Sequence, residues 1–100
     1  LDWINLPTKE NDNIILNYFT LTVSPRVRNK LLSYLNQHQI GASIYYKKPI
    51  HLQKAVLERY KKISMKKTEK ISKSVISLPF YSFPKDHELE YLIATIKKFK

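Results

Sequence analysis

Along this chain, hydrophobic and polar positions follow two periods, and each change of period marks an element. Leu1 to Lys9 mixes polar and apolar residues around a Pro and reads as a leading segment. From Ile14 to Val23 (IILNYFTLTV) β-branched and aromatic residues run almost unbroken. That predicts a strand buried on both faces over part of its length. Ser24-Pro25 opens a helix, since Ser caps well and Pro at the first helical position gives up no needed N–H. Val27, Leu31, Leu32 and Leu35 then follow helical spacing, and the helix should end near His38. Gly41 stands close behind as a stop signal that permits positive φ. Ala42 to Tyr46 (ASIYY) reads as a second strand, ended by Lys47-Lys48-Pro49 because Pro cannot donate to a ladder. His51 to Tyr60 predicts a short helix with Leu52, Val56, Leu57 and Tyr60 on one face. Lys61 to Lys67 is a basic loop, and Lys67 to Ser74 a second short helix. Val75 to Leu78 is a third strand stopped by Pro79, and Ser82 to Pro84 is a turn. In the last helix, Asp86 to Lys98, Leu89, Leu92, Ile93, Ile96 and Phe99 fall at helical intervals, with acids first and lysines last as the helix dipole favours.

The predicted order is β-α-β-α-α-β-α over residues 1–100, a single domain. Its fold class is α/β (α+β): a small sandwich of about three strands with helices packed on the sheet, which buries each amphipathic face. The inward positions give an expected core of Leu31, Leu35, Ile44, Val75, Leu78, Leu92 and Ile96.

Composition narrows the function classes. Hydrophobic residues make up 43% of the 100, enough for one core and no more than one domain. Purely apolar runs stop at three residues, as in Leu92-Ile93-Ala94, so no membrane-spanning helix or signal-peptide core is present. Cysteine is absent, which removes disulfides and thiolate metal sites and is compatible with a reducing cytoplasm. His38, His51 and His87 lie in no metal-ligand spacing. One Gly rules out a glycine-rich phosphate loop. No Ser/His/Asp or Cys/His catalytic pattern stands out. The formal charge of +10 admits an anionic partner, but the lysines are spread along the whole chain and accompany much Ile, Asn and Tyr, the pattern of compositional drift. Their densest run, Lys61 to Lys73, has one neighbouring aromatic, Tyr60, where single-stranded nucleic acid would want several. The one Met is Met65 and the chain starts at Leu1, so the expectation is a fragment or a trimmed product.

One long motif stretch carries more. Residues 39 to 53, QIGASIYYKKPIHLQ, are similar to the GIGT-x-V-H/Y-Y-P-x-P-x-H-L-Q segment of the DegT/DnrJ-type nucleotide-sugar aminotransferases. Met65 to Tyr81, where EKISKSVISLPFY stands, resembles that family's AEKLAKEVLSLPMYP, and NYFTLTV (17 to 23) its strand H-x-Y-x-I-R-V. The closing helix resembles D-E-E-x-E-Y-V-I-x-A-I. The resemblance covers residues 13 to 98 in the right order. Departures are Gln39 for the first Gly, Ala42 for Thr, Lys47 for the first Pro, Asn17 for a frequent His and Phe19 for a frequent Tyr.

The resemblance implies the C-terminal small domain of an aminotransferase that moves an amino group from glutamate to a nucleotide-linked keto sugar in the cytoplasm. Pyridoxal phosphate, its Schiff-base Lys and the Asp that pairs with its ring nitrogen would lie in a large domain outside these residues. The parent would be a homodimer, and this chain alone would bind no cofactor and catalyse nothing. The implied substrate-binding residues are Tyr45, His51 and Asn17. Each also has a structural reading: a strand tyrosine with its hydroxyl at the surface, a structural hydrogen bond (favoured for His51), and a satisfied buried amide. Gln53 is a weaker candidate, and Lys47-Lys48, which could attract a diphosphate, reads better as a solvated turn. The competing reading is a stand-alone basic module for nucleic acid or a phosphorylated ligand.

Overall fold

A computed structural model describes residues 2–6, 19–79 and 85–99. Three antiparallel strands form one sheet in the order β1-β2-β3: β1 Ile4–Asn5, β2 Phe19–Val23 and β3 Val75–Leu78. The register sets Ile4 opposite Val23, Leu21 opposite Ile76 and Phe19 opposite Leu78. Opposed residues share a face, so these six side chains form one apolar surface. Thr20, Thr22 and Ser77 fall on the other face, where Thr20 Oγ1 and Ser77 Oγ share a hydrogen bond of 2.9 Å.

Helices α1 (Pro25–Gln37) and α4 (Asp86–Lys98) supply Leu31, Leu35 and Ile96 to the core, joined by Leu21, Val23, Ile76 and Leu78 from the sheet. Between them run a 3-10 turn at Ile50–Leu52 and two short helices, α2 (Lys54–Leu57) and α3 (Lys66–Ser72). The fold class and succession therefore match the sequence reading, but the helix expected over His51 to Tyr60 is split into the 3-10 turn and the four-residue α2, with Leu57 and Tyr60 exposed, and three further details differ. The third strand of the sheet is Ile4–Asn5, inside the leading segment. The described part of the long strand alternates, with Leu21 and Val23 buried and Thr20 and Thr22 half-buried, so it is covered on one face. Ala42 to Tyr46 enters the sheet through a single bridge, Ser43 to Ser77.

That bridge stops for a local reason. Ser43 and Ser77 exchange two backbone hydrogen bonds, 2.9 and 2.8 Å, so the N–H and C=O of Ser77 face the outer edge. By the strand's period of two, Val75 faces the same edge and would be the next partner, opposite Tyr45. Its carbonyl is already approached by Arg28 Nη1 at 3.4 Å, and the same nitrogen donates to Ser72 O at 2.9 Å. In the other direction Pro79 has no N–H to offer Gly41.

The end of α1 corrects a second expectation. Among the described residues Gln39, with φ 63°, is the one of positive φ, and Gly41 is not. Gln39 N–H donates to Asn36 O at 3.1 Å and Ile40 N–H to Leu35 O at 2.9 Å, the paired bonds of a Schellman cap. Ile40 and Leu35 both lie in the core cluster. Of the expected core, Leu31, Leu35, Leu78 and Ile96 are buried. Ile44, Val75 and Leu92 are half-buried, and the centres of the core are Leu21, Leu31, Leu35 and Ile76. Val75 sits on the opposite face of β3 from Ile76 and Leu78, and Ile44 follows the lone bridge, outside the alternating ladder.

Candidate functional site

The candidate site is the loop from Ser43 to Gln53. Its sequence permits little regular structure: Pro49 interrupts any ladder, and Lys47-Lys48 favour water. At its first end the Ser43 bridge ties it to β3. At its far end the 3-10 turn closes with Leu52 N–H to Pro49 O at 3.0 Å and Gln53 N–H to Ile50 O at 3.1 Å. The Gln53 amide also reaches back to Lys48 O at 3.4 Å. Between these ties the side chains face solvent: Tyr45 is 56% exposed and Tyr46 77%. The strand reading puts the two tyrosines on opposite faces; outside a ladder, both are exposed.

His51 turns the other way. It is 9% exposed, and its Nε2 lies 3.2 Å from Glu69 Oε2. The same carboxylate oxygen accepts the backbone N–H of Met65 at 2.7 Å. Met65 caps α3, so Glu69, in the first turn, does for this helix what a capping-box acid does. The Met65 N–H, then the His51 ring, with a smaller contribution from Lys62, stabilise the charged form and hold the Glu69 carboxyl below its ordinary value of 4.5.

The structure thus places Tyr45 and His51 on one loop with opposite exposure, the His51 ring facing Glu69. Asn17 lies outside the described residues. Sequence reasoning passed over Glu69 and Arg28. Glu69 lies within the second matching segment, 18 residues beyond His51, and the pairing of the two segments was the signal available.

A second feature is an apolar groove of about 390 Å³ between the sheet and α4, lined by residues that include Leu6, Phe19, Leu21, Leu89, Ile93 and Lys97. Its donor set does not fit pyridoxal phosphate. Among the described residues Lys97 is the one polar side chain on its wall, with no carboxylate there for a ring nitrogen and no glycine for a phosphate cradle. Among the described residues no group of three or more His, Cys, Asp or Glu could hold a metal, and no helix is long and apolar enough to cross a membrane.

The pattern of the DegT/DnrJ/EryC1/StrS aminotransferases matches residues 2–97. The chain belongs to that family. It is 28% identical over 92 residues to a pleiotropic regulatory protein of Geobacillus stearothermophilus, covering 91% of this chain and 25% of that protein. Its fold superimposes with a TM-score of 0.76 on a crystal structure of NtdA from Bacillus subtilis with bound cofactor PMP, at 28% identity. That match covers 96% of this chain and 23% of NtdA. The chain spans about a quarter of the length of the relatives it matches. In this aminotransferase family setting the Schellman cap gains a meaning. Gln39, which the sequence resemblance sets at the segment's first Gly, is the described residue with positive φ.

Proposed function

We propose that this chain is the C-terminal, substrate-side domain of a pyridoxal-phosphate-dependent sugar aminotransferase. The observation that carries the reading is the loop of the GIGT-like segment. It is fastened at both ends, and it projects Tyr45 from a domain whose own groove does not suit the cofactor. In the parent enzyme the cofactor would be held outside these residues, and its chemistry when bound would be to carry an amino group from a donor to an acceptor. Glutamate is the donor and a nucleotide-linked keto sugar the acceptor. Tyr45 contacts the acceptor through its hydroxyl, His51 stiffens the loop from behind, and Asn17 is a further candidate for the acceptor pocket. The parent is a cytoplasmic homodimer.

The test is a pair of half-reactions on the full-length enzyme. Glutamate should convert the cofactor to its amine form, and a nucleotide-linked keto sugar should return it to the aldehyde. Borohydride reduction followed by peptide mapping should place the cofactor lysine outside residues 2–97. A cofactor lysine inside this chain, or failure to accept any keto sugar, would overturn the reading.

A further inference from the structure

We propose that Glu69 is a positioning residue: through His51 it holds the Ser43–Gln53 loop, and Tyr45 with it, in one place. Among the described residues the loop's backbone is bonded to the sheet at Ser43, and Ile50, near its far end, is 75% exposed. A segment of that kind opens at low cost unless a buried anchor holds it. His51 is the one buried residue between Ser43 and Gln53, and its ring nitrogen faces a carboxylate. A protonated Nε2 donates to that carboxylate, which selects one tautomer and one ring orientation.

Glu69 is itself well placed to act as an anchor. One oxygen, Oε2, accepts from both Met65 N–H and His51, so the start of α3 and the end of the loop meet at a single atom. The other end of α3 is tied to α1, where Arg28 Nη1 donates to Ser72 O at 2.9 Å. α1 is a core helix, with Leu31 and Leu35 fully buried. The attachment therefore runs from the core through Arg28, α3 and Glu69 to His51, and ends at the loop. The consequence for the sugar rests on the function proposed above; the clamp itself does not.

Two arms keep these apart. On this chain, labelled with ¹⁵N, Glu69→Ala should speed hydrogen exchange at the Leu52 and Gln53 amides roughly tenfold. Exchange at Leu21, Leu35 and Ile76 should hold. The His51 ring should lose its Nε2–H signature. Glu69→Gln keeps an oxygen that can accept from both donors and should restore most of the protection. His51→Ala should release the same two amides, and adding Glu69→Ala should release them no further, as expected of residues acting as a unit. Acceleration of core and loop by one common factor, or no change at the loop, would overturn the proposal. In the full-length enzyme, Glu69→Ala should raise the keto-sugar KM several-fold and leave the glutamate half-reaction alone. Local release with an unchanged sugar KM would uphold the clamp and overturn the assignment of the loop to the sugar.

Discussion

Gln39 closes α1 with φ 63°, a conformation in which a Cβ crowds the following carbonyl and costs about 1–2 kcal/mol. Gln39→Gly should therefore stabilise the domain by about 1 kcal/mol, read as a raised urea midpoint with an unchanged slope. Gly41 needs no such freedom, and a Cβ there would meet Pro79 Cγ at an ordinary 3.9 Å. Gly41→Ala should be neutral or slightly stabilising, by less than about 1 kcal/mol. Destabilisation by Gln39→Gly, or a large loss from Gly41→Ala, would show that the cap is misread. The Glu69 carboxyl makes a second residue-scale prediction. Its folded value is lowered, so the stability it contributes is full above its ordinary 4.5 and is lost as pH falls through the folded value. Melting temperatures taken from neutral pH down to about 3 should fall more gently for Glu69→Gln than for the natural chain. Parallel acid limbs would mean that the carboxylate gains nothing from Met65 and His51. At this scale the sequence shows His51 and Tyr45 through their motif. Glu69 stays hidden because its partner lies 18 residues away and only the folded chain brings them together.

Elements differ in how far local pattern specifies them. α4 was readable to the residue because the apolar period, the acidic first turn and the basic last turn all agree over 13 residues. Ala42 to Tyr46 has the composition of a strand, but pairing needs a free edge. Arg28 at Val75 O and the missing N–H of Pro79 leave it one bridge. Neither obstacle is visible within the segment. The same distinction ranks the core. Leu35, on α1 with no exposed surface, should cost about 2–5 kcal/mol when cut to Ala, as should Leu21 at the centre of β2. Val75, half-buried on the polar side of β3, should cost clearly less. Equal losses at Leu35 and Val75 in thermal or urea melts would mean that the faces of β3 are wrongly assigned.

For the molecule as a whole, the charge of +10 is large for 100 residues, and the lysines of α3 stand exposed. Charge of this kind attracts any polyanion without reading its sequence. Binding to single-stranded DNA should be weak, about 10⁻⁴ to 10⁻⁶ M, and should fall steeply with salt. Submicromolar, sequence-selective binding at physiological salt would favour a regulatory module over a catalytic domain. The central claim, that this domain serves the acceptor sugar and not the cofactor, meets its most direct test at Tyr45. Tyr45 is 56% exposed on the Ser43–Gln53 loop, and under the proposed function its hydroxyl contacts the acceptor. The measurement is Tyr45→Phe in the full-length enzyme, with the two half-reactions followed separately by the absorbance of the cofactor. The glutamate half-reaction should be nearly unchanged. The keto-sugar half-reaction should weaken roughly ten- to a hundredfold in apparent affinity, the loss of one hydrogen bond to a charged ligand group. Equal loss in both half-reactions, or loss in neither, would contradict the account.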